Sequence, residues 1–198
     1  MIIKSKKRKG ITMCKKLGEI HNKCPSDFLE GIDSLPVDIE QILSTWQINT
    51  AAVSFEELQK VLPLKNNKIT GLAYAKGNDL LVLYSKDSKK ADSRFTLAHE
   101  LGHCCLHMDV TSSSHIELQT VGDVLNVSQN KFVIFNRQKE SEADRFARDL
   151  LIPTNALILL LKKENNFSLK QLANFFVVPV EQMEIKLEEL RTATCAMG

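Results

Sequence analysis

Five consecutive residues, His99-Glu100-Leu101-Gly102-His103, hold the chain's densest chemistry. Zinc takes neutral imidazoles at about 2.0–2.1 Å on neighbouring tetrahedral corners. On an α-helix, positions i and i+4 lie one turn apart on the same face, separated by roughly 6 Å along the axis. The rings of His99 and His103 can therefore converge on one ion. Glu100 follows the first of them and projects to one side, within reach of a water on that ion without competing for it. This is a hydrolytic arrangement. The ion lowers the pKa of the water and polarises a carbonyl. Glu100 takes the proton as water attacks and passes it to the leaving amine.

Two histidines need a third protein ligand. His107 continues the series at i+8, but it lies about 12 Å from His99 along the same helix, too far to share one ion. It reads as a wall or rim residue. His115 sits in a polar stretch, and His21 is remote in sequence. A better source is the segment Glu140-Ser141-Glu142-Ala143-Asp144-Arg145-Phe146-Ala147. Glu140 and Asp144 stand at i and i+4 and face one way, whereas Glu142 points elsewhere on the helix. One carboxylate can bind the metal. The other can accept from the far nitrogen of a ligand histidine and fix its tautomer. Phe146, Ala147, Leu150 and Leu151 predict that this helix packs inward.

The elements that must position these groups can be read coarsely. The helix of the pentapeptide spans Ser93 to Leu106, with Ser93 as its cap and Gly102 at a place where another backbone or a substrate approaches closely. Gln138 to Leu151 is a second helix, stopped by Pro153, and Thr154 or Asn155 caps a third through Lys163. Upstream, residues 17–60 alternate in a helical manner. Ile39, Ile42, Leu43 and Trp46 share one face after Pro36, and Ser54-Phe55-Glu56-Glu57 resembles a cap. Between lies a period-two stretch. Ile69–Tyr74 and Asp79–Tyr84 read as strands, with Lys76-Gly77-Asn78 as the turn of a hairpin. Residues 80–84 are an expected sheet edge to which a peptide could add. Residues 109–130 are a Ser-, Thr- and Asn-rich excursion with room for a short strand, and Lys131–Phe135 is another strand candidate. Ser168–Phe176 and Glu181–Arg191 form a final helix pair around Pro179.

Composition bounds the setting. In 198 residues, 43% are hydrophobic and 25% charged, enough for a buried core in one globular domain with a small appendage. A net charge of +2 gives no global pull toward nucleic acid or membrane. The local excess Lys4-Ser5-Lys6-Lys7-Arg8-Lys9 reads as a solvated tail, with a nucleic-acid arm or a true start at Met13 as other readings. No apolar run follows it, so no signal peptide is expected, and the longest apolar run, Ala156–Leu161, is too short to span a bilayer. Five cysteines without framework spacing then read as reduced thiols in a cytoplasmic protein.

Taken together, Arg94-Phe95-Thr96-Leu97-Ala98-His99-Glu100-Leu101-Gly102-His103 resembles the signature of the ImmA/IrrE metallopeptidases. Glu140-x-Glu142-Ala143-Asp144-x-Phe146-Ala147-x-x-Leu150-Leu151-x-Pro153 resembles that family's second motif. The resemblance implies an α+β fold with a thermolysin-like (gluzincin-type) core and a small sheet. It implies one Zn2+ per chain, or another divalent transition metal, held by His99, His103 and Glu140, with Glu100 catalytic and Asp144 behind a ligand. It also implies a protein substrate, a helix-turn-helix repressor of a mobile element or stress response, whose cleavage relieves repression. The chain divides on this reading into a tail (1–16), a peptidase domain (17–163) and a helix-turn-helix-like segment (164–198). Phe176 stands where such a turn usually has glycine. Glu181, Glu184, Glu188 and Glu189 would repel phosphates, which disfavours direct DNA binding. Cys104 and Cys105 replace aliphatic residues and read as small buried hydrophobes. The competing reading is a non-catalytic regulator that binds a repressor or DNA and has a closed metal site, with one of these thiols as fourth ligand.

Overall fold

The computed structural model describes residues 15–32, 34–56, 68–76, 79–108, 114–121, 137–163 and 166–195. The strand candidate Lys131–Phe135, the turn at Gly77-Asn78, the basic run at 4–9 and the segment after Glu56 lie outside these residues. The order is α1 (Lys15–Ile20), α2 (Pro25–Leu29), α3 (Ile39–Thr45), β1 (Asn49–Val53), β2 (Lys68–Lys76), β3 (Asp79–Ser85), α4 (Lys90–Leu106), β4 (Ser114–Val121), α5 (Arg137–Leu151), α6 (Thr154–Lys163), α7 (Leu169–Phe176) and α8 (Val180–Cys195). The architecture is α+β, with one small sheet and mostly helices.

The sheet runs β1-β3-β2-β4. β2 and β3 form the expected hairpin, antiparallel, with Leu72 opposite Leu83 and Ala75 opposite Leu80. Alternation sets its buried face: Ile69, Gly71, Ala73 and Ala75 of β2 and Leu80 and Val82 of β3 are buried, while their neighbours are partly exposed. α4 packs across β2 and β3. Two expectations change here, and the short strand allowed within 109–130 gains its bounds. Asn49–Val53 is not helical but a strand parallel to β3, from Asn49 opposite Leu81 to Val53 opposite Ser85. Residues 80–84 are therefore interior, between β1 and β2, and their backbone groups are taken by both neighbours. The far edge is β4, drawn from the polar excursion and antiparallel to β2 from Lys68 opposite Val121 to Lys76 opposite Ser114.

α4 is the central element. Every residue from Arg94 to Cys105 is buried. It begins three residues before the expected start, after Lys89 (φ −66°, ψ 155°), and Ser93 N donates to Lys89 O inside the helix at 2.9 Å. Ser93 is thus not the cap, and Asp92 in the first turn suits the positive end of the helix dipole. Leu97, Ala98, Leu101, Cys104 and Cys105 join Phe146, Ala147, Leu150 and Leu151 of α5 in one core. Ile39, Ile42 and Leu43 of α3 enter the same core, as their spacing predicts, after an Asp38 cap that accepts from Gln41 N at 3.0 Å.

The last helices share that core through Leu172, Ala173, Phe176, Val178 and Met183. Ser168 and Gln171 form a capping box on α7. The left-handed residue that ends α7 is Val177 (φ 52°, ψ 56°), one place after Phe176, which is fully buried. A β-branched residue in this region is strained by about 1–3 kcal/mol. Its carbonyl accepts from Arg94 Nε at 3.2 Å, while another Arg94 nitrogen donates to Val37 O at 2.6 Å. One buried guanidinium from the central helix therefore ties down both the α7–α8 turn and the entry to α3.

Candidate metal centre

α4 and α5 cross closely because of one missing side chain. A Cβ on Gly102 would stand 3.2 Å from Ala143 Cα and from Phe146 Cβ and Cγ. The close approach expected at Gly102 is thus that of α5. It brings the first turn of α5 over the middle of α4, where polar side chains are buried against the usual preference.

There the expected residues meet. His99 and His103 are each 1% exposed, and their Nε2 atoms stand 2.9 Å apart. Glu140 from α5 reaches both, Oε2 at 3.2 Å from His99 Nε2 and Oε1 at 3.3 Å from His103 Nε2. Among the described residues, His99, His103 and Glu140 form the group whose ligand atoms lie within 4.8 Å of one another. Neither Cys104 nor Cys105 belongs to that group. Both are buried, and burial pushes the Cys105 thiol up, away from the thiolate a metal needs.

The donor set fits a metal ion. Two donors about 2.0–2.1 Å from one ion stand roughly 2.9–3.4 Å apart for angles near 90–110°, the range of the three edges here. The tautomers agree. His99 Nδ1 lies 2.8 Å from Asp144 Oδ1, and a carboxylate can only accept, so Nδ1 carries the proton and Nε2 offers its lone pair. Lone pairs and a carboxylate facing a common centre need positive charge there. In the metal-free protein a proton supplies it. Burial acts to lower the His99 pKa, but hydrogen bonds to Asp144 and Glu140 outweigh it and raise the pKa to about 9. Burial acts to raise that of Glu140, but His103 and His99 hold it at about 2.

Glu100 is fully buried beside these rings on α4. Glu142 does point away from the three-residue group, as its place on the helix predicts, but it is not idle. Its Oε2 lies 2.9 Å from His107 Nε2, and His107 Nδ1 lies 3.0 Å from His103 Nδ1. Residue-by-residue reading placed His107 at the rim and missed this pairing. The signal available was that His103 and His107 are themselves at i and i+4.

Two buried imidazoles and a partly buried carboxylate meet on two crossed helices beside a small sheet, a donor set that suits a hydrolytic metal ion. The family description "IrrE N-terminal-like domain", a peptidase family, matches residues 60–188. The chain belongs to this family and is a metallopeptidase. It is 27% identical over 137 residues to Metallopeptidase ImmA of Bacillus subtilis (strain 168), covering 68% of this chain and 73% of that protein. Family membership implies a metal ion, which His99, His103 and Glu140 could hold. No helix among the described residues is long and apolar enough to cross a membrane.

Proposed function

We propose that the chain is a zinc-dependent endopeptidase that hydrolyses a peptide bond in a helix-turn-helix repressor and so relieves repression. The observation that carries the hydrolytic part is the meeting of two imidazole Nε2 atoms and one carboxylate within 3.3 Å, beside a fully buried glutamate. His99, His103 and Glu140 would hold the ion. When bound, it supplies Lewis-acid polarisation of the scissile carbonyl and acidifies water. Glu100 takes the proton of the attacking water and delivers it to the leaving amine. Its burial excludes competing solvent from that transfer. Asp144 holds His99 with its lone pair forward. Zinc suits a donor set of two imidazoles and one carboxylate with a position left for water.

The repressor substrate rests on the likeness to the ImmA/IrrE family. On the same reading the core is thermolysin-like, residues 17–163 form the peptidase domain, and 164–198 form a helix-turn-helix-like segment that contacts protein rather than DNA. Lys15 and Lys16, expected to end a tail, instead open α1. On this reading the protein acts in the cytoplasm. The test is co-incubation of the metal-loaded protein with the repressor encoded beside it, with and without a chelator. The parent is expected to cut at one site. Glu100→Gln should keep the metal and lose about 10²–10⁴-fold in rate. Cleavage by Glu100→Gln at the parental rate, or cleavage indifferent to chelation, would sink this reading.

A further inference from the structure

We propose that His107 and Glu142 are positioning residues, a relayed carboxylate that sets His103 for metal binding as Asp144 sets His99. This rests on the metal-site reading of His99, His103 and Glu140. The two ligand imidazoles are backed differently. His99 Nδ1 meets a carboxylate directly, at 2.8 Å from Asp144. His103 Nδ1 meets another imidazole, at 3.0 Å from His107 Nδ1, and that ring meets the carboxylate, at 2.9 Å from Glu142 Oε2. Gln138 Nε2 donates to the other oxygen of Glu142 at 2.8 Å.

The chemistry of the chain allows one assignment of protons compatible with a metal on His103. Glu142 as a carboxylate accepts, so His107 Nε2 carries a proton. If His107 is neutral, its Nδ1 is then an acceptor, and His103 must donate from Nδ1. That leaves the His103 lone pair on Nε2, the atom 2.9 Å from His99 Nε2 and 3.3 Å from Glu140 Oε1. The opposite assignment would place a proton on His103 Nε2, where the ion must bind. His107 is well suited to enforce the first. Its side chain is 5% exposed, and its backbone N–H donates to His103 O at 2.9 Å, so the ring is held at the end of α4. Glu142 is 46% exposed and can be replaced without opening the core.

The test separates an acceptor from a packing residue. Metal affinity is measured by chelator competition on the full chain, with zinc and with cobalt(II), whose visible bands report the coordination geometry. His107→Leu fills the space but accepts no hydrogen bond. His107→Asn is smaller but can place an oxygen near the ring's Nδ1. His107→Leu is expected to lose about 10–100-fold in affinity and to alter the cobalt spectrum, while His107→Asn recovers most of both. Glu142→Ala should lose several-fold. Equal affinity in His107→Leu and the parent, or Leu outperforming Asn, overturns the inference. Should His107→Leu fold poorly, unchanged affinity in Glu142→Ala overturns it alone. If the parent itself fails to bind one ion in a manner abolished by His99→Ala, the metal-site reading has failed instead.

Discussion

The two halves of α5 bury polar groups in opposite ways. In the N-terminal half, Glu140 and Asp144 meet the imidazoles of His99 and His103. In the C-terminal half, Arg148 meets Glu189 at 2.9 Å and Gln182 at 3.1 Å, and Asp149 takes Lys186, all from α8. The second set joins fixed cations to fixed anions, so its charges close on themselves and hold α5 to α8. The first set joins acids to groups that are neutral when they bind a metal. It stays short of positive charge until a proton or an ion arrives. Buried polarity alone therefore does not mark a functional site, but an incomplete charge balance does.

The largest expected effect follows from that balance. In the metal-free protein His99 is raised from its ordinary 6.5 to about 9, and Glu140 is lowered from its ordinary 4.5 to about 2. The raised group stabilises the fold fully below pH 6.5, and this is lost as pH climbs toward 9. The lowered group stabilises it fully above pH 4.5, and this is lost as pH falls toward 2. Metal-free stability should thus peak between about pH 4.5 and 6.5 and fall on both sides, by a few kcal/mol on the alkaline side. Zinc should abolish the alkaline fall, because it replaces the proton. Denaturant titrations from pH 5 to 9, with and without metal, check this. An alkaline limb that zinc leaves unchanged would break the contrast between the two halves.

Asp144→Asn sharpens the contrast within the first half. It keeps a hydrogen-bond acceptor for His99 but removes the charge, and metal affinity should fall by about 10–100-fold by chelator competition. Next comes Gly102→Ala. Alanine is the better helix former by about 1 kcal/mol. The 3.2 Å contacts with Ala143 Cα and Phe146 Cβ involve atoms that cannot swing aside, and overpacking costs about 1–3 kcal/mol. The net expectation is destabilisation of about 1 kcal/mol, with weaker metal binding as α5 shifts Glu140 outward. A stabilised variant with unchanged affinity would show that the two helices have slack.

How much of this was legible in the sequence follows from the range of each interaction. The i, i+4 spacings of His99 with His103 and of Glu140 with Asp144 are set by one helix each, and the structure brings His99, His103 and Glu140 together. The β2–β3 hairpin and the α3 face were legible for the same reason. β1 was not, because Asn49-Thr50-Ala51-Ala52-Val53 shows little alternation and is largely exposed. Its strand state comes from parallel pairing with a segment thirty-odd residues away. β4 lies in the stretch 109–130, where a short strand was allowed but given no bounds because the Ser and Asn residues around it match loops; pairing with β2 sets those bounds. The position of the α7–α8 turn was misjudged by one residue because Val177 adopts a conformation its own type disfavours and is held there by Arg94. Glu142 was read as the less favoured ligand, and among the described residues it is Glu140 that groups with the two histidines. The helix angle of Glu142 said where it does not point, and only the fold could say that it meets His107.

The smallest effect is expected from the closed half. Lys186 is 4% exposed with its amine on Asp149, whose side chain is 36% exposed. Lys186→Met keeps the stem's apolar contacts and removes the charge. Asp149 can then turn to water, and Arg145, 3.8 Å away, offers a partial replacement. The loss should be on the order of 1 kcal/mol in a denaturant titration, well below the cost of stranding a fully buried charge. Metal affinity should not change, since no atom of this pair enters the His99–His103–Glu140 group. A drop in affinity comparable to that of Asp144→Asn would mean that the α5–α8 contact sets the height of α5 over α4. The two halves would then act as one lever and not as separate devices.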